Sequence, residues 1–285
     1  MKVQANAKIN LSLCVGAKEN GFHALDGLVT SVNCFDLVEV NLRSDDSVVV
    51  HCSGVPSHLN TATVAARRLS QVFHCGFTVD ITKNIPFSGG MGGSSADAAA
   101  LLYCAAKLLG HNPSSQLFTS VAASVGSDVN FMLQGGFARM QGKGDDLTFY
   151  SQPCRLYFVV ACFDAQISAA QAYSAFDELS SKGLAPSFPS VSDGLELIQS
   201  GNLSSFKPFN ALQSAVQSVN CYADSFLRFA ADNGLSFCMT GSGACYFSIF
   251  TSLQQAEGVA NLLNSLGFRC FVCNSVPCGI VPVAD

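Results

Sequence analysis

Apolar and polar positions alternate over residues 7–15. Ala7, Ile9, Leu11, Leu13 and Val15 fall on one face, and Lys8, Asn10, Ser12 and Cys14 on the other. Period-two alternation predicts a half-exposed strand, with one face on a core and the other presenting an amine and an amide. Residues 37–42, 48–51 and 77–81 read as further strands. Residues 60–73 read as a helix, with Val64, Ala65, Leu69 and Val72 at helical spacing. In the helix predicted over 96–109, Ala98, Leu101, Leu102, Ala105, Leu108 and Leu109 form an apolar stripe. Ser94 with Asp97 fits a helix-start capping pattern. Another helix, 115–124, stops at Gly126.

The second half predicts a buried strand over 156–163, a helix over 168–179 and a loop rich in Ser, Pro and Gly over 180–194. Helices follow near Leu195 and over 210–231. Then come strand 235–239, a Thr240-Gly241-Ser242-Gly243 turn, strand 244–250, helix 254–266 and strand 268–273. Helices interleaved with paired strands predict an α+β sandwich. A polar, glycine-bearing stretch at 142–151 suggests two units, 1–148 and 149–285. The chain shows no internal repeat.

Between strand 77–81 and helix 96–109 lie Pro86, Phe87, Ser88, Gly89, Gly90, Met91, Gly92, Gly93, Ser94, Ser95, Ala96 and Asp97. Glycines permit close backbone approach, and the free N–H groups at a helix start favour an anion, so this loop is a candidate phosphate cradle. It carries neither a lysine-ended P-loop pattern nor a G-x-G-x-x-G dinucleotide pattern. A tight turn without a ligand is the alternative.

Composition narrows the classes. The chain has 285 residues, 49% hydrophobic and 12% charged, with net charge −5. This supports a sizeable core and argues against a nucleic-acid partner. No apolar run approaches the roughly 20 residues needed to cross a bilayer. The N-terminus lacks a signal-peptide pattern, so a cytoplasmic protein with reduced thiols is expected from the thirteen cysteines. Cys270, Cys273 and Cys278 have no second pair or His nearby, so no metal ligands are assigned.

Three segments in order resemble the galacto-, homoserine-, mevalonate- and phosphomevalonate (GHMP) kinase superfamily. They are Ala7-Lys8-Ile9-Asn10-Leu11, the loop from Pro86 to Ala96, and Met239-Thr240-Gly241-Ser242-Gly243. The turn signal Asn20-Gly21 leads into Gly21-Phe22-His23, which with Ala7-Lys8-Ile9-Asn10-Leu11, Asn60, Gly126-Ser127-Asp128-Val129 and Phe209-Asn210-Ala211-Leu212 resembles one branch of it. That branch phosphorylates the 2-hydroxyl of a cytidine-diphosphate derivative of methylerythritol, in the non-mevalonate route to isoprenoids.

The resemblance implies a two-domain GHMP kinase fold, with an N-terminal ribosomal-protein-S5-domain-2-like domain that binds ATP and a C-terminal α/β sandwich. It implies Lys8 and Asp128 at the reacting hydroxyl, the 86–97 loop around the ATP phosphates with Mg²⁺, and Asn60 at the adenine. Asn10, Gly241, Ser242 and Gly243 would meet the substrate. Phe22 would stack on the cytosine, His23 would hydrogen-bond it, and Tyr173 would close its other face. The partners implied are ATP and the cytidyl small molecule, with no nucleic acid or membrane, in a monomer or weak homodimer. Another small-molecule kinase of the superfamily and a non-catalytic nucleotide-binding regulator are the alternatives. The chain departs from the branch pattern in a loop serine shifted one place early, in Asn130, in Ala169 after Ile167 and Ser168, and in Ala211.

Overall fold

A computed structural model describes residues 1–284 except 20, 57, 59, 164–167 and 218–220. Asn20 of the expected turn and Ile167 lie outside the described residues.

A long hairpin carries the fold. Strand β1 (Lys2–Glu19) pairs antiparallel with β2 (Phe22–Arg43), interrupted by register shifts at Asn6/Ala7, Asn10/Ser12 and Val15/Lys18. Such irregularities bend and twist a strand, which lets two long strands serve several neighbours. Strand β2 pairs in turn with β4 (Gly76–Thr82) and β5 (Phe137–Gly142). Strand β3 (Val48–Cys52) joins β4 in parallel, and β6 (Asp146–Tyr150) joins β5. Strand β11 (Cys270–Val276) bridges β2 to β7 (Tyr157–Cys162), beyond which lie β10 (Cys245–Phe250) and β9 (Cys238–Met239). Strand β12 (Ile280–Pro282) and the two-residue β8 (Phe209–Asn210) attach to β1.

Helices α1 (Thr61–Phe73), α2 (Gly93–Leu108), α3 (Gln116–Val125) and α4 (Val129–Gln134) belong to the first half of the chain. Helices α5 (Ala169–Ser181), α6 (Val191–Gln199), α7 (Gln213–Gln217), α8 (Cys221–Asp232) and α9 (Leu253–Ser265) belong to the second. Asn60 Oδ1 caps α1 by accepting from Ala62 N–H at 2.8 Å. Helix α2 is buried on nearly every side, because Ala96, Ala98, Ala99, Ala100, Ala105 and Ala106 let neighbouring elements approach.

Two apolar clusters form, and β7 separates them. Phe158 and Val160 belong to one cluster and Val159 and Ala161 to the other. A strand buried on both faces reads as an unbroken apolar run, as 156–163 does.

Several expectations need correction. The polar face of β1 is not exposed: Lys8, Asn10 and Ser12 are buried along with the apolar face. Helix α2 begins at Gly93, with Gly92 at its N-cap and no side-chain cap, so Ser94 and Asp97 form no capping box. Asn210 lies in β8 rather than in a helix over 210–231, because its backbone pairs with β1. Helix α6 begins at Val191, inside the stretch expected as loop. Strand β2 extends far beyond the expected 37–42.

The phosphate-type loop packs directly on the turn after β9. A Cβ on Gly90 would stand 2.0 Å from Thr240 O, and one on Gly241 would stand 2.5 Å from Gly90 O. Both glycines have positive φ, 73° and 56°, so a side chain at either meets both strain and a backbone collision. Gly90→Ala is expected to lower the unfolding free energy by about 2 kcal/mol or more, measured by urea denaturation. An unchanged midpoint would show that the two turns tolerate separation.

Candidate active site

A cavity of about 470 Å³ lies over the polar face of β1. Lys8, Asn10, Asn60 and Asp128 line it, as does every loop residue from Pro86 to Ser95, together with Asp97. Tyr173, Gly241 and Ser242 line it from the second half of the chain. The fold therefore brings together most of the residues expected at the site. Ala96 is buried within the first turn of α2 instead, and Gly243, Phe22 and His23 are not among the lining residues.

Strand β1 supplies the floor. Its bends turn Lys8 and Asn10 toward the loops, and backbone bonds hold the loops down: Lys8 N–H donates to Met91 O at 3.0 Å, and Asn10 N–H donates to Thr240 Oγ1 at 3.0 Å. The Lys8 ammonium donates to Asn10 Oδ1 and lies 3.5 Å from Asp128 Oδ2. Asp128 occupies the N-cap of α4, yet its side chain makes no capping bond. A carboxylate released from that ordinary duty and set beside a buried ammonium is available to an incoming hydroxyl.

Helix α2 points its start into the cavity. The first N–H groups of a helix have no intrahelical acceptor, and Gly93, Ser94 and Ser95 belong to the lining. A bound anion would satisfy them and the helix dipole together. Asn60 spends its carbonyl oxygen on capping α1, so its Nδ2 is the group it can offer a ligand.

The turn after β9 is held by two side chains. Asn210 Nδ2 donates to Met239 O at 2.9 Å and Gly241 O at 2.8 Å, and its Oδ1 accepts from Leu212 N–H at 2.9 Å. Thr240 Oγ1 reaches Gly90 O at 3.5 Å. Backbone bonds from Ala244 N–H to Ser88 O and from Cys245 N–H to Gly89 O complete the seam. Asn210 thus acts on the site through the turn.

Sequence reasoning missed a buried ionic cluster under the loop. Lys83 pairs with Asp36 and lies 2.7 Å from Asp97. Asp36 also accepts from Asn84 N–H at 2.6 Å and Ile85 N–H at 2.9 Å, which ties the start of the loop to β2. Burial works against the Lys83 ammonium, but the two carboxylates outweigh it and hold the group above its ordinary range. Burial pushes Asp97 up to about 7 against the pull of Lys83, and Asp36 adds to the rise. Asp97 Oδ1 has no hydrogen-bond partner. The signal for this cluster was Lys83 at the mouth of the glycine loop, where a lone lysine has no local partner in sequence.

His23 stacks on Tyr173, with ring centroids 5.3 Å apart and planes at 13°. Its Nδ1 faces Gly16 O at 3.0 Å. Phe22 is exposed, with the Lys143 ammonium 4.4 Å from its ring centroid. His23 thus adjoins Tyr173, and neither His23 nor Phe22 lines the cavity.

Among the described residues no group of three or more His, Cys, Asp and Glu side chains is placed to hold a metal ion. No described helix is long and apolar enough to cross a membrane.

Comparison with known proteins matches this architecture. Residues 60–138 match the GHMP kinases N terminal domain. A 4-diphosphocytidyl-2-C-methyl-D-erythritol kinase from Caldicellulosiruptor bescii is 30% identical over 274 residues, covering 92% of this chain and 94% of that protein. The kinase of the same name from Bacillus subtilis is 30% identical over 279 residues, covering 94% and 93%. A solved 4-(cytidine 5'-diphospho)-2C-methyl-D-erythritol kinase superposes with a TM-score of 0.78 at 25% identity, over 96% of this chain and 98% of its own. Homoserine kinase from Cytophaga hutchinsonii shares the fold, with a TM-score of 0.72 at 19% identity over 99% and 97%.

The buried carboxylate has a consequence for stability. A folded-state pKa raised above the unfolded value of 3.8 means that the folded chain holds a proton the unfolded chain has released. The contribution is full below about pH 4 and is lost as pH rises toward about 7. Asp97→Asn is expected to flatten the fall in unfolding free energy between those limits, as followed by denaturant titrations across pH. Parallel profiles for the two proteins would show that Asp97 does not titrate there.

Proposed function

Because the chain belongs to the 4-diphosphocytidyl-2-C-methyl-D-erythritol kinase family, and is accordingly an ATP-dependent small-molecule kinase of non-mevalonate isoprenoid synthesis, we propose that Lys8 and Asp128 act on the 2-hydroxyl of that cytidyl substrate. The observation that carries the assignment is the Lys8–Asp128 pair, 3.5 Å apart, in the cavity that the glycine loop also lines.

Phosphoryl transfer asks mainly for alignment, a proton acceptor and positive charge. Asp128 accepts the hydroxyl proton as the oxygen attacks the γ-phosphoryl group, whose bond to the β-phosphate oxygen breaks to release ADP. Lys8 lies beside that carboxylate and offers its charge to the transferred group. Backbone N–H groups at the start of α2 receive the triphosphate, and Asn60 meets the adenine. Asn10, Gly241 and Ser242 form the substrate side, with Gly243 completing the turn behind them. The division into an ATP-binding unit, 1–148, and a second unit, 149–285, is part of the same proposal.

Mg²⁺ is the expected companion of the triphosphate. The hydroxyls of Ser94 and Ser95 and the partly exposed Asp128 carboxylate are hard oxygen donors in the cavity wall. Such a set suits a cation that retains water and phosphate ligands. When bound, the ion would neutralise phosphate charge.

At the other end of the substrate, we assign base recognition to Phe22, His23 and Tyr173. Tyr173 lines the cavity and stacks on His23, so cavity and histidine share one wall. The exposed Phe22 ring is open to a stacking partner.

The test is ADP release from ATP and Mg²⁺ with the cytidyl substrate, homoserine or mevalonate. Turnover with the cytidyl substrate alone is expected; turnover with another substrate, or ATP binding without turnover, would overturn the assignment. Asp128→Asn should lower kcat about 10²–10⁴-fold with ATP affinity retained, whereas near-normal turnover would remove Asp128 from the mechanism. His23→Ala should raise the KM for the cytidyl substrate far more than the KM for ATP. Equal rises would argue against base recognition.

A further inference from the structure

Helix α5 places three residues on one side at i, i+3 and i+4 spacing: Tyr173, Phe176 and Asp177. All three meet His23. Tyr173 stacks on the ring, Phe176 presents an edge with centroids 6.0 Å apart and planes at 85°, and Asp177 Oδ1 lies 3.0 Å from Nε2. Nε2 itself makes no hydrogen bond, so the carboxylate stands against the ring edge without being bonded to it. The His23 side chain is only 8% exposed.

The register of that face is fixed at the helix start. Ser168 Oγ accepts from Gln171 N–H, and Gln171 Oε1 accepts from Ser168 N–H, which forms a capping box. The second Asp177 oxygen lies 3.4 Å from the Lys18 ammonium on β1. Asp177 therefore touches both strands of the β1–β2 hairpin, through Lys18 on one and His23 on the other.

We infer that Asp177 is a positioning residue for recognition of the substrate base, holding His23 at the Tyr173 end of the cavity and clamping α5 to the β1–β2 hairpin. This rests on the assignment of His23 to the cytosine. Aromatic contacts on one face and an edge leave an imidazole free to slide. A carboxylate at one nitrogen and the Gly16 carbonyl at the other remove that freedom. Asp177 is 40% exposed, so it can be changed without opening a cavity in the core.

The experiment measures KM for the cytidyl substrate, KM for ATP and kcat in Asp177→Ala, Asp177→Glu, His23→Ala and the double variant His23→Ala/Asp177→Ala. Asp177→Ala should raise the cytidyl KM roughly three- to tenfold, the size expected for a partly exposed charged contact. ATP KM and kcat should change less than about twofold, and Asp177→Glu should recover most of the loss. In the His23→Ala background, loss of Asp177 should add nothing, because both act through one ring. If His23→Ala raises the cytidyl KM while Asp177→Ala leaves it unchanged, the positioning role is overturned and the base assignment stands. If His23→Ala itself leaves the cytidyl KM unchanged, the base assignment falls and the inference falls with it. Additive effects in the double variant, or equal rises in both KM values, would assign Asp177 a purely structural role.

Discussion

The close passage of two glycine-bearing turns governs this structure. Gly90 and Gly241 bring the backbone of the phosphate-type loop against the turn after β9, at separations a Cβ would forbid. Thr240 adds its hydroxyl between Asn10 N–H and Gly90 O, and Ala244 and Cys245 donate to the loop carbonyls. Polar backbone that would otherwise stand exposed is thereby satisfied within the protein. The seam also roofs the polar face of β1, which explains why Lys8 and Asn10 are buried without sitting in a hydrophobic core. The cavity over Lys8 and Asn10 depends on that roof, since neither β1 nor the loop alone would enclose it.

Charge is scarce in the chain, 12% of residues, and much of what the site uses is buried. Two lysines flank the glycine loop with different electrostatic work. Lys83 sits between Asp36 and Asp97, so its charge is largely balanced within the cluster and serves to hold the loop's base. Lys8 has one carboxylate at 3.5 Å and an uncharged amide, which leaves more of its field for a phosphate. A buried cation with an incomplete set of partners suits a transferring group whose charge arrives with the substrate. The Tyr173 end of the cavity follows another logic, in which helix α5 supplies aromatic surface and a carboxylate on one face.

Local patterns carried a good part of the fold. Asn60 caps α1 one residue before the helix starts, and the run 156–163 is the buried strand its composition suggested. Where patterns failed, a distant partner had prevailed over the local preference. Strand β2 contains Thr30, Ser31 and Asp36, all buried, so its apolar alternation is broken. Those polar groups are satisfied by residues far along the chain, such as Gly136 for Ser31 and Lys83 for Asp36. Asn210 left its expected helix for a two-residue strand because β1 offers backbone partners. Asp97 matched a capping spacing, but Lys83 outbid the helix terminus with a full charge.

By itself the sequence determined the α+β class and the glycine loop before α2, because turn chemistry and periodicity are written over short spans; the expected roles of Lys8, Asn10, Asn60 and Asp128 came from the resemblance of ordered motifs to a known family. The tertiary structure alone decided that β1 is buried on both faces, that the Asp128 side chain leaves α4 uncapped, and that Asp36, Lys83 and Asp97 share one buried cluster. It also decided that His23 lies against α5 instead of in the cavity wall. These outcomes turn on partners tens to hundreds of residues apart, whose distances no local spacing encodes and which desolvation and close packing select only once the chain has folded.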